Sequence, residues 1–137
     1  MPRIVCAASL LLVMTWLCGC TPRNDPAPAT TTVKGTVKLD GKPMADGSIS
    51  FEVTGQPPQE FEIKAGSYSG DAFVGANKVH VTKMKEGPPS TTDPTTKTTI
   101  NTVADKFSGP NTTLKAEVMK SGANDFNFDV TSAPAAK

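Results

Sequence analysis

Beyond residue 32 the chain alternates apolar and polar side chains in short runs. Val33, Gly35, Val37 and Leu39 interleave with Lys34, Thr36 and Lys38, the period-two signature of a strand with one buried face. Asp40-Gly41 follows with the residues a tight turn favours, and Pro43 keeps the chain extended before Met44, which is expected in the core. The alternation resumes at Ile49, Phe51 and Val53, then at Phe61 and Ile63, then through Lys78-Val79-His80-Val81-Thr82. Residues 66–74, around Tyr68, predict a shorter strand and a corner. Leu114, Ala116 and Val118 are the next set and Phe126, Phe128 and Val130 the last, with Ser121-Gly122-Ala123-Asn124 predicted to join the two as a hairpin. Residues 86–99 are rich in Pro and Thr and predict a mobile loop with no structure of its own. Six or seven short strands, each with one apolar face, predict an all-β fold: two antiparallel sheets packed around Phe51, Phe61, Phe126 and Phe128.

The first twenty residues follow another pattern. Arg3 precedes an apolar run from Ile4 to Leu17 that is short for a permanent bilayer span, which is the geometry of an export signal. The run ends in Leu17-Cys18-Gly19-Cys20. These residues resemble the bacterial lipobox, a branched apolar residue and two small ones before an acceptor cysteine. The resemblance implies cleavage before Cys20, a thioether from its sulfur to diacylglycerol, and an exported protein held on a membrane by that lipid. Each acyl chain adds about 0.8 kcal/mol per buried CH2, so two or three chains together anchor durably. Thr21 stands where Asp would hold such a protein at the inner membrane, which favours the outer membrane. An ordinary cleaved signal with a chance Gly-Cys is the alternative. The organisation read from the sequence is a signal peptide over residues 1–19, a Pro/Thr-rich tether over 20–32, the β-domain over 33–131 and a flexible tail over 132–137.

Composition narrows the chemistry. Lys and Arg number 14 against 13 Asp and Glu; Arg3 leaves with the signal and every acid lies beyond Cys20, so the cleaved chain is formally neutral. Such a balance lacks the clustered positive charge that phosphate backbones require, which excludes nucleic acid as a partner. Cys6, Cys18 and Cys20 are the only cysteines, so the domain has neither a disulfide framework nor a cysteine metal site. With 12 Pro and 11 Gly, long helices are disfavoured.

The segment VKGTVKLDGKPMADGSISFEV (33–53) resembles the opening of carboxypeptidase regulatory-like domains, and IKAGSYSGDAFVGANKVHVTK (63–83) resembles a later stretch of the same family. The segment VADKFSGPNTTLKAEVMKSGANDFNFDV (103–130) is similar to the closing part of small lipoproteins of planctomycete bacteria. The resemblance implies a seven-stranded antiparallel β-sandwich of the prealbumin-like (transthyretin-like) kind. Its motifs are turn glycines and core aromatics, which speak to fold rather than function.

Few residues offer chemistry. His80 is the only histidine; it alternates onto the face of Lys78 and Thr82 and is expected in solvent, with no nucleophile or second ligand placed beside it by the sequence. Asn124, Asp125, Asn127 and Asp129 make an oxygen-rich cluster that raises calcium, but no bidentate Glu or tight acidic loop accompanies them, and a solvated face is expected. A Lys34–Asn127 isopeptide link would need a buried carboxyl, and no acid occupies an apolar-face position. Transthyretin-like hydroxyisourate hydrolases need several histidines and a different carboxyl terminus. The expectation is a non-enzymatic, lipid-anchored structural or protein-interaction module of the cell envelope, with a carbohydrate- or substrate-binding lipoprotein as the alternative. Its partners would be the membrane, through Cys20, and an envelope protein or glycan. No catalytic residue, cofactor or metal is expected.

Overall fold

Ten strands and one turn of 3-10 helix (Asp105–Phe107) make up the regular structure of residues 28–134, the part of the chain that the computed structural model describes. Cys20, the lipobox, the apolar run before it and residues 135–137 lie outside the described residues. One sheet holds β1 (Thr30–Leu39), β2 (Lys42–Pro43), β3 (Asp46–Glu52), β4 (Gln59–Lys64), β5 (Ser67–Phe73), β6 (Gly75–Thr82), β9 (Lys115–Val118) and β10 (Phe128–Val130). Its order is β10-β1-β5-β4-β3-β6-β9, with β2 beside the end of β1. A second, two-stranded sheet pairs β7 (Met84–Pro89) with β8 (Lys97–Asn101). The fold is all-β, and among the described residues no helix is long and apolar enough to cross a membrane.

The larger sheet curls into a half-barrel whose inner face holds the core. In β1 the inward positions are Val33 and Val37, in β3 Ile49 and Phe51, in β6 Val79 and Val81, and all are fully buried. Phe51 is the hub, with its ring centroid 5.9 Å from those of Phe61 and Tyr68, 6.3 Å from Phe126 and 6.5 Å from Phe128. Phe51 and Phe128 are buried, whereas Phe61 and Phe126 are half-buried at the margin. Two turns set the register of neighbouring strands. Asp40-Gly41 and Ala65-Gly66 both have positive φ at their two central residues (52° and 79°; 50° and 80°), the type I′ geometry whose twist suits a two-residue hairpin.

Several boundaries differ from the sequence reading. β1 begins at Thr30, because Thr30, Thr31 and Thr32 pair with Phe73, Ala72 and Asp71; the β-branched threonines of the expected tether extend the ladder. Residues 86–99 are not a structureless loop. Glu86 pairs with Thr99, Pro89 with Lys97 and Lys85 with Ile100, and the prolines are accommodated because this small sheet has free edges.

The expected hairpin between residues 114–118 and 126–130 does not exist. β9 lies antiparallel to β6, while β10 crosses over and runs parallel to β1, Val37 facing Phe128 and Leu39 facing Val130. A period-two pattern states which face is buried but not which strand is the neighbour. The tail is also tied down at its start: Ser132 bridges Val103, and the Ala133 N–H donates to the Thr102 carbonyl at 2.7 Å. The Ser132 N–H donates to Asp40 Oδ1 at 3.0 Å, a bond that holds the Asp40 carboxyl below the usual carboxylate range.

Candidate functional site

The parallel β1–β10 contact is built around a glycine. An added Cβ at Gly35 would stand 1.8 Å from the Phe126 carbonyl oxygen, so only a bare backbone lets that carbonyl turn inward. There it accepts the Tyr68 hydroxyl at 2.9 Å. Because this carbonyl has left the ladder, the Thr36 N–H needs another acceptor, and Asn127 Oδ1 takes both that N–H at 3.0 Å and the Thr36 hydroxyl at 2.7 Å. Asn124 does the same for the preceding loop: its Oδ1 accepts the Met119 N–H at 2.8 Å and its Nδ2 donates to the Met119 carbonyl at 2.9 Å.

The oxygen-rich cluster of the sequence is thus dispersed. Asp125, Asn127 and Asp129 are exposed, as expected of a solvated face, with Asn127 also bonded to the Thr36 backbone, and only the loop residue Asn124 is buried. Among the described residues no group of three or more His, Cys, Asp or Glu side chains is placed to share a metal ion. The Asn127 amide is engaged with Thr36, so what looked like chemistry is backbone satisfaction.

His80 also departs from expectation, since its side chain is only 12% exposed. Nε2 lies 3.0 Å from Glu52 Oε2, a diagonal neighbour across β3–β6, where Ser50 faces His80 and Glu52 faces Lys78. Nδ1 is buried without a hydrogen-bond partner, so no hydroxyl is activated through that nitrogen. Beside this pair, a groove of about 390 Å³ runs along β6 and β9, lined by Glu52, Thr54, Asn77, Lys78, Lys115 and Glu117. Two carboxylates and two ammonium groups on an open strand face suit a polar ligand held by charge-assisted hydrogen bonds. They provide no nucleophile paired with a base and no converging donors for a developing oxyanion.

No family model, curated protein or solved structure matches this chain. The reading of the site therefore stands on its own geometry. Sequence reasoning missed Glu52 as the partner of His80, and the only available signal was that both alternate outward on strands whose pairing the sequence does not state. Cys20, the one site residue proposed from sequence, lies outside the described residues.

Tyr68 provides a pH test of the Gly35 contact. Burial first, and the nearby Asp125 carboxylate second, keep its phenol protonated well above the ordinary value of 10.0. In the unfolded chain it ionises near that ordinary value, so above it the unfolded state binds fewer protons than the folded one and stability falls as pH rises. Urea midpoints compared at about pH 8 and about pH 11 are expected to drop more for the wild type than for Tyr68→Phe. All other groups are common to the two proteins and drop out of the comparison. Equal drops would show that the phenol is not held in its protonated form.

Proposed function

We propose that this chain is a bacterial lipoprotein whose β-domain serves as a non-enzymatic structural or protein-interaction module, held on the outer membrane through lipid on Cys20. The observation that carries the reading is the division of labour along the chain. Every cysteine lies in the first twenty residues, within or at the end of an apolar run closing on Leu-Cys-Gly-Cys, while among the described residues the buried core runs from Val33 to Val130 and contains no cysteine. A described core built without cysteine, beside an apolar run that ends in a lipobox-like sequence, supports reading Cys20 as the lipid acceptor. The finer fold belongs to the same reading: the all-β architecture with its Gly-led turns agrees with a carboxypeptidase regulatory-like, prealbumin-like sandwich.

The non-enzymatic part rests on the state of the one histidine, bound to Glu52 on one nitrogen and unpartnered on the other. The groove beside it favours a second reading, a carbohydrate- or substrate-binding lipoprotein. No aromatic side chain lines that groove, whereas sugar sites commonly stack rings, and the Phe51 cluster is committed to the core.

Metabolic labelling with a palmitate analogue tests the anchor. Wild type is expected to take up label and float with membranes, and Cys20→Ser to do neither; equal labelling of both refutes the proposal. Saturable binding on a glycan array, lost on Lys115→Ala, would favour the second reading.

A further inference from the structure

The registers of β3, β6 and β9 lay out the charges on their outward face. Glu52 pairs with Lys78 across β3–β6, and Lys78 pairs with Lys115 across β6–β9, so three charges stand in one row. Ala76 and Glu117 make the next row of the same face. The Val79 N–H donates to the Leu114 carbonyl at 3.0 Å, which makes 79 and 114 a hydrogen-bonded pair. By alternation 78 and 115 are a non-hydrogen-bonded pair, the closer kind, with Cα atoms about 4.5 Å apart. Two lysines thus stand directly opposite each other, an arrangement that destabilises a sheet.

No ion pair among the described residues relieves it. Those present join Lys64 to Glu62, His80 to Glu52, Lys83 to Asp46 and Lys97 to Glu86; Lys78, Lys115 and Glu117 take part in none of them. Glu52, the acid opposite Lys78, is engaged by His80 at 3.0 Å. Ala76 is the shortest side chain in the exposed lining, and the groove of about 390 Å³ opens around it. That is room for a small ligand.

We infer that this groove takes a short peptide as its zwitterion, with the terminal carboxylate between the Lys78 and Lys115 ammonium groups and the terminal ammonium on Glu117. The inference deepens the second reading of the groove, as a binding site, and rests on it. A phosphate or other polyanion would gain two ammonium groups and meet two carboxylates, and a polycation would meet the reverse. A ligand with one charge of each sign satisfies both sets. Its length follows from the strand. Lys115 and Glu117 are two positions apart on β9, about 6.8 Å along a strand, and a dipeptide spans about 7 Å when extended. With no ring and no large apolar side chain in the lining, recognition rests on the peptide's termini rather than on its side chains.

Nuclear magnetic resonance titration of glycylglycine into the isotope-labelled chain from Cys20 onward, which holds the whole described core, tests this. In low salt the amide resonances of Ala76, Lys78, Lys115 and Glu117 are expected to shift saturably at millimolar peptide. N-acetylglycylglycine and glycylglycinamide each lack one terminal charge and are expected to bind roughly fivefold more weakly; Lys115→Gln and Glu117→Gln are expected to weaken glycylglycine by a similar factor. Without ligand, Lys115→Gln is expected to raise the urea midpoint, because it ends the facing of two like charges. Shifts that do not saturate, blocked peptides that bind as well as glycylglycine, or a midpoint lowered by Lys115→Gln overturn the inference. A glycan-array sugar whose binding needs Lys115, with glycylglycine unbound, overturns it and leaves the groove a binding site; if neither binds, that reading falls as well.

Discussion

Replacing Phe51 with alanine is expected to lower the stability of the domain by about 3–5 kcal/mol, the largest loss from any single truncation in the core. Phe51 is fully buried, and its ring meets Phe61, Tyr68, Phe126 and Phe128 within 6.5 Å between centroids. Truncation removes the transfer free energy of the ring and leaves a cavity beneath four aromatic neighbours, none of which can fill it without giving up its own contacts. Pairs of this geometry contribute about 0.5–1.5 kcal/mol beyond area burial. Domains of this size are commonly stable by only about 5–15 kcal/mol, and the described residues contain no cysteine for a compensating disulfide. Urea unfolding followed by circular dichroism measures the loss. A change below about 1 kcal/mol would mean that the cluster does not hold the sheet closed.

The second large effect is expected from Gly35→Ala. The added methyl meets the Phe126 carbonyl oxygen at 1.8 Å, and this obstacle is backbone, tied on one side to Lys34 and on the other to Tyr68. Relieving the clash means moving residues 124–127 off β1. Overpacking strain and a buried Tyr68 hydroxyl left without its acceptor add to roughly 2–5 kcal/mol. Gly70 offers the control. A methyl there comes within 2.1 Å of the Phe61 ring, but that ring is half-buried and can swing outward, so Gly70→Ala is expected to cost less. A double-mutant cycle decides whether the Phe126 carbonyl is the point of conflict. Tyr68→Phe is expected to cost about 1 kcal/mol in the wild type and close to nothing in Gly35→Ala, since the bond it removes is already broken. Additive losses would exclude that shared mechanism.

The two substitutions also show where sequence reading succeeds. Phe51 was legible as core because its neighbours Ser50 and Glu52 are polar, and a strand places it opposite them. Gly35 stood in an inward position of the same alternation, and nothing in the sequence said that it faces a carbonyl 91 residues away. Phe61 and Phe126 read as fully buried yet sit at the margin, since the pattern supplies a face but not the distance from the rim. The hairpin at 84–101 was hidden for a related reason. Pro88, Pro89 and the threonines remove the apolar alternation by which a strand is recognised, and pairing there is mostly backbone to backbone.

For the candidate site the sequence supplied the residues and missed their relations. His80 was correctly placed outward, but outward is not the same as solvated. Its burial arises because β3 lies next to β6 in a register that sets Glu52 diagonally across from it. Asn124 and Asn127 looked like ligands because amide oxygens are the same whether they hold an ion or a backbone N–H.

What this sequence determined by itself was local. Period-two alternation selected strands and their buried faces, and Asp40-Gly41 selected a turn, because these depend on residues a few positions apart. What only the tertiary structure decided was adjacency: β10 beside β1, β9 beside β6, the inward Phe126 carbonyl over Gly35, and the pairing of His80 with Glu52. Each of these depends on which edge of the curled sheet is still free when a strand arrives, a property of the whole fold that no short window of residues contains.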